Sequence, residues 1–239
     1  MNKTLKALSA LLTYPTAELQ QAADEIRRVI DADKLIPGHV RQPLHNLVNE
    51  LASGDLYDLQ ERYVLLFDRT RSLSLHLFEH VHGESRDRGQ AMIDLKAQYE
   101  RADLLMAPGE LPDFLPVFLE FLSTQAANEA CESLGQPAHI FAALAERLRK
   151  RKSSYEAIFR ALVALANAKP KVEEISALLE SPDPDANDLA ALDALWEDEP
   201  VNFGPGSGDS CKDGLVARVR GAMRPAPGVA SASRSNPRP

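Results

Sequence analysis

The run His76-Leu77-Phe78-Glu79-His80 is the closest this sequence comes to a catalytic unit. On a helix, H-x-x-E-H sets two imidazoles one turn apart to hold zinc and a glutamate beside them to activate water. A zinc-dependent hydrolase using His76, Glu79 and His80 is therefore the alternative function for the chain. Such a site also needs a third ligand and a strand-lined substrate cleft, and the sequence offers only scattered helical glutamates such as Glu120 and Glu156. Because a five-residue pattern recurs readily by chance, polar residues on a packing or recognition face are the preferred reading.

The pentad belongs to a longer stretch, Leu65–Asp94, which holds four arginines, three of the six histidines and several carboxylates among Leu66, Phe67, Leu73, Leu75, Leu77 and Phe78. Ionisable groups must lie there against apolar surface. His80, His82 and Glu84 alternate, and on a helix successive members point about 200° apart, so they cannot chelate one ion. They can hydrogen-bond an incoming peptide, or cap a helix end. The segment Glu84–Gly89 lacks the glycine-rich loop and lysine of a phosphate cradle, and no G-x-S-x-G elbow supports a hydrolase triad.

The elements that must position these groups are helices. Apolar residues recur at three and four residues nearly everywhere, and no alternating strand of useful length appears. Leu5, Leu8 and Leu12 form one face of a first helix ended by Tyr14-Pro15. Thr16 can cap a second, carrying Leu19, Ala23, Ile26 and Ile30. Leu44, Leu47, Val48 and Leu51 mark a third. Asp55 can cap a fourth through Leu59, Tyr63 and Leu66. A fifth helix is expected over Leu73, Leu77 and Val81, closing at Gly83. Asp87 with Gln90 resembles a capping box for a sixth, with Ala91, Leu95, Tyr99 and Ala102 inward.

After a loop, Pro112-Asp113 opens an apolar helix through Leu122 that must be central and buried, with Pro116 tolerated in its first turn. Helices follow over 124–134, 138–150 and 153–168, then an acidic one over 172–179. The expectation is an all-α fold, a single globular domain of roughly nine to eleven helices over residues 1–180. An acidic arm is expected at 181–203 and a disordered tail at 204–239; half of the twelve glycines and six of the sixteen prolines fall in residues 200–239.

Composition narrows the function. The net charge of −8 argues against nucleic acid as a partner. Most of it sits in residues 171–199, with 1 basic and 10 acidic side chains, whereas residues 200–239 carry 6 and 2. No run approaches the ~20 apolar residues of a membrane span, so direct membrane insertion is not expected. Cys131 and Cys211 are far apart and suggest neither a disulfide framework nor a metal knuckle. A cytoplasmic location follows as the default.

At Phe67-Asp68-Arg69, Leu77–Met92 (LFEHVHGESRDRGQAM) and Leu111–Pro116 (LPDFLP), the chain strongly resembles the respiratory nitrate reductase assembly chaperones, the so-called delta subunits. The likeness spans roughly residues 4–203, including Trp196-Glu197 and Pro200–Phe203. These proteins form part of a wider all-helical class of redox-enzyme maturation chaperones.

The resemblance implies a non-catalytic chaperone that binds the N-terminal segment of the apo catalytic (alpha) subunit. It would assist molybdenum cofactor insertion and docking to the membrane anchor without joining the finished enzyme. It implies no stably bound cofactor. The expected partners are the catalytic subunit or the apo alpha-beta complex, together with cofactor-delivery proteins, met in the cytoplasm and transiently at the inner face of the membrane through the client. The wider class's Leu-Pro-Asp-x-Leu-Pro signature, part of its peptide site, falls on Leu111, Pro112, Asp113, Leu115 and Pro116. The expected client-binding residues are Leu73, Leu77, Phe114, Leu115 and Phe118 in an apolar groove, with Arg69, Arg71, His80, His82, Glu84, Asp87, Arg88 and Asp113 as its polar complement. Packing is an equal account of the apolar ones, and helix capping of the charged ones.

Overall fold

A computed structural model describes residues 2–82, 86–107, 109–166, 168–183, 188 and 190, all within one compact unit, Met1–Asn202. The chain is all-α. The described residues form twelve α-helices and no strand, against the nine to eleven expected. They are α1 Asn2–Leu11, α2 Ala17–Gln21, α3 Ala23–Ala32, α4 Gly38–Ser53, α5 Leu56–Phe67, α6 Glu79–His82, α7 Arg86–Arg101, α8 Leu115–Thr124, α9 Ala127–Gly135, α10 Ala138–Lys150, α11 Glu156–Ala166 and α12 Val172–Leu179. The larger number arises partly because the expected second helix breaks at Ala22, which ends α2 and begins α3.

Local chemistry sets most boundaries. Thr16 Oγ1 accepts from Leu19 N (3.2 Å), and the Asp55 carboxylate accepts from Tyr57 N (2.9 Å) and Asp58 N (3.3 Å), so both cap as their sequence positions suggest. The residue faces follow the helical period: Val40, Leu44, Leu47, Val48 and Leu51 of α4 are buried together. α8 is buried on nearly all sides, and Pro116 sits in its first turn. It packs along α1, where Ser9 Oγ donates to Pro116 O (2.7 Å). α11 is surrounded by α4, α9 and α10 and contributes Phe159, Ile158 and Leu162, with no exposed surface, to one continuous core. Burying each such side chain contributes about 1.5–3 kcal/mol.

Two expectations are corrected. The fifth helix over Leu73–Val81 does not form. The chain instead makes a short 3-10 turn at Arg71–Leu73, runs extended through His76, and becomes helical only at Glu79. Polar anchoring of this segment overrides its apolar spacing. The Asp87/Gln90 capping box is also absent. α7 begins at Arg86, so Asp87 lies within its first turn, where its charge complements the helix dipole, and Gln90 Nε2 donates to Asp94 (2.8 Å). The tail at 204–239 and nearly all of the acidic arm lie outside the described residues.

Candidate functional site: a cleft beside two bridged loops

Two segments outside the α-helices, 68–78 and the described residues of 102–114, pair where the helices leave room. Leu115 N donates to Leu75 O (2.8 Å) and Leu77 N to Asp113 O (3.0 Å), forming a single antiparallel bridge between His76 and Phe114. Asp113 is the keystone. Its side chain has no exposed surface, yet its carboxylate accepts from Phe78 N (3.2 Å), lies 3.1 Å from His76 Nδ1 and 3.8 Å from Arg88 Nη2. Burying a carboxylate is tolerable only with such partners. Arg88 also reaches Glu79 (3.4 Å), linking α7 to α6.

Polar groups also hold the far side of the 68–80 segment. Arg147 of α10 is buried and donates to Ser72 O (2.6 Å), Leu178 O (2.6 Å) and Ser181 O (3.3 Å), tying this loop to the end of α12. His80 Nε2 donates to Ser74 O (2.8 Å). Burial pushes the His80 imidazole below its ordinary pKa, because the charged form loses solvation. The 102–114 segment is shaped by a left-handed Asp103 (φ 58°), across which Leu104 N donates to Tyr99 O (2.9 Å), a Schellman-type end to α7. Tyr99 OH donates to Pro112 O (2.7 Å) and its ring packs on Phe121.

Beside the bridge opens a cleft of about 390 Å³. Its walls are Tyr14, Tyr63, Phe67, Leu75 and Phe114, with Thr13 and His76, and its two acidic groups are Asp68 and Glu110. Tyr14 meets Tyr63 edge-on at 5.6 Å, and the His76 ring lies over Phe114 at 5.3 Å. Tyr63 OH donates to Leu12 O (2.8 Å), and burial, with the nearby Asp68 charge, pushes its pKa far up. Such a cavity is concave, aromatic and sparsely polar, as peptide- and ligand-binding sites generally are.

The sequence-derived residues divide clearly. Phe114 lines the cleft, with Asp113 directly behind it. Leu73, Leu77, Leu115 and Phe118 are buried in the core beneath the loops. Arg69 and Arg71 are exposed on the segment that follows Asp68, Asp87 is exposed on α7, and Arg88 is half-buried in its ion pairs. Glu84 and the side chain of His82 lie outside the described residues. The zinc pentad is not on one helix: His76 is extended and faces Asp113, whereas His80 sits in α6 and bonds Ser74 O, so the spacing required for a two-histidine chelate is not met. No group of three potential metal ligands occurs among the described residues.

Tyr14, Tyr63, Phe67, Asp68, Leu75 and Glu110 were not among the client-binding residues expected from the sequence, although Phe67-Asp68 belongs to one of the blocks that carry the family resemblance. Tyr14 and Phe67-Asp68 do mark helix ends, where aromatic rings emerge from the core, and that was the available signal.

A model of the family described as nitrate reductase delta subunit matches residues 16–161, which includes both bridged loops and most of the cleft. The chain belongs to this family. Among curated proteins, it is 43% identical over 223 residues to the nitrate reductase molybdenum cofactor assembly chaperone NarJ of Escherichia coli K12, covering 92% of this chain and 94% of that protein. It is 39% identical over 207 residues to the probable chaperone NarW of the same organism, covering 87% and 86%. A probable NarJ of Bacillus subtilis is 30% identical over 161 residues, covering 67% and 86%. As a delta-subunit family member, the chain shares its all-α architecture with the resemblance read from LPDFLP and the Leu77–Met92 block. That block holds Phe78, His80 and Arg88, which brace the bridged loops, and LPDFLP holds Asp113 and Phe114, which lie at the bridge itself.

Proposed function

We propose that this protein is a nitrate reductase maturation chaperone that holds the N-terminal segment of the apo catalytic subunit, alone or within an apo alpha-beta complex, and thereby assists molybdenum cofactor insertion. The observation that carries this reading is the aromatic cleft beside the Leu75–Phe114 bridge, in a chain whose curated relatives are named as such chaperones. A helical or extended segment would lay apolar side chains against Tyr14, Phe67 and Phe114. Asp113, Leu73, Leu77, Leu115 and Phe118 would act from below, holding the loops in place. Arg69, Arg71, Asp87 and Arg88 would flank the segment and set its direction.

The protein works by binding and release and not by catalysis. It retains no cofactor of its own, and it meets its client and the cofactor-delivery proteins in the cytoplasm and at the inner membrane face. No helix of the described residues is long and apolar enough to cross a membrane, so the client would supply any membrane association.

Calorimetric titration of the full chain with a peptide spanning the N-terminal segment of the cognate catalytic subunit should give a saturable, one-to-one isotherm. Absence of any binding heat across several temperatures would overturn the assignment of the client segment.

A further inference from the structure

The cleft has a charge bias that shape alone does not require. Its two acidic groups, Asp68 and Glu110, come from separate segments, one at the end of α5 and one in the loop before α8. Among the described residues no lysine or arginine lines it, although Arg69 and Arg71 lie one and three residues after Asp68 in the chain. Glu110 accepts from Ala107 N (3.1 Å), which fixes its carboxylate toward the loop that borders the cleft. Asp68 is near enough to Tyr63 for its charge to raise the phenol's pKa. Aromatic rings line the same cleft, and Tyr14 among them is nearly half exposed.

Aromatic faces attract cations through the ring quadrupole, and a carboxylate beside the ring supplies the counter-charge. An anionic occupant would set its charge against Asp68 and Glu110, and a purely aliphatic one would displace water from these exposed carboxylates without offering them a donor. We propose that the cleft selects a basic side chain, arginine or lysine, borne by an otherwise apolar client segment, with the aromatic walls packing its stem and Asp68 and Glu110 reading its charge. This rests on the reading that the cleft is the client site, and it names what in the client is recognised.

The test uses the full chain and three peptides: the N-terminal peptide of the catalytic subunit, an analogue with each arginine replaced by citrulline, and one with each lysine replaced by norleucine. The unaltered chain should bind one of the neutralised analogues at least about fivefold more weakly than the parent peptide, which tells guanidinium from ammonium. Asp68→Asn and Glu110→Gln should each weaken the parent by about fivefold and flatten its salt dependence. Neither should change affinity for the weakened analogue, and that retained binding shows that both variants are folded. Equal affinity of the unaltered chain for all three peptides, or an Asp68→Asn/Glu110→Gln chain that binds the parent undiminished with the same salt dependence, overturns the charge-reading inference and leaves the client assignment standing. Failure of the unaltered chain to bind any of the three overturns both.

Discussion

The α10–α11 pair is well buried and the bridged loops at 68–78 and 102–114 only partly so, and the two are held by different forces. α11 presents Ala157, Ile158, Phe159, Ala161 and Leu162 to its neighbours with almost no exposed surface. Its cohesion is apolar, proportional to area and indifferent to direction. The loops instead bury Thr70, Ser72, Ser74 and Asp113, and their cohesion comes from hydrogen bonds to Asp113, Arg147 and His80. Such bonds are directional and costly to leave unmade. The scaffold can therefore vary in detail and still fold, while the loops must be placed accurately, as a surface that selects one partner requires.

Two substitutions should separate the regions. Phe159→Ala opens a cavity at the heart of α11 and should cost about 3–5 kcal/mol, seen as a lower midpoint in chemical denaturation and faster hydrogen exchange throughout the unit. Asp113→Ala strips the partner from Phe78 N and the counter-charge from Arg88, and should cost about 3 kcal/mol. Its exchange signature should differ: amides of Leu77, Phe78 and Leu115 should lose protection while those of α10 and α11 keep theirs. If Asp113→Ala loosens α11 as much as Phe159→Ala does, the two regions are not independently held and the distinction fails.

That contrast also explains what the sequence made legible. The all-α class, the caps at Thr16 and Asp55, the buried α8 and the inward face of α4 were all readable because periodicity reports apolar burial directly. Leu73, Leu77 and Val81 carried the same periodicity, yet the chain there is a 3-10 turn, an extended bridge and a four-residue helix. The decisive contacts are with Asp113, 35 residues after Phe78, and Arg147, 75 residues after Ser72, and no local pattern encodes partners so distant. For the candidate site, LPDFLP and the Leu77–Met92 block pointed to the residues that build the bridge. The cleft walls at Tyr14, Phe67, Asp68 and Glu110 come from three separated segments that only the fold assembles.

The smallest expected effect is on pH dependence. Because the folded-state pKa of His80 lies below its ordinary value of 6.5, the unfolded chain binds the proton more readily. The associated stability is fully present above that value and declines as pH falls below it toward the folded-state pKa. His80→Gln, whose amide can still donate to Ser74 O, should make the stability curve flatter on the acidic side. An unchanged slope in acid-dependent urea unfolding would show that His80 is not held neutral by the loop.

The central claim, that the bridged loops and their cleft recognise the catalytic subunit's N-terminal segment, is tested most directly by hydrogen exchange on the full chain with and without saturating peptide. The account predicts new protection confined to residues 68–78 and 110–114 and the start of the cleft at Thr13-Tyr14, with α10 and α11 unchanged. Peptide-induced protection confined to other surfaces, with these segments exchanging as before, would contradict it.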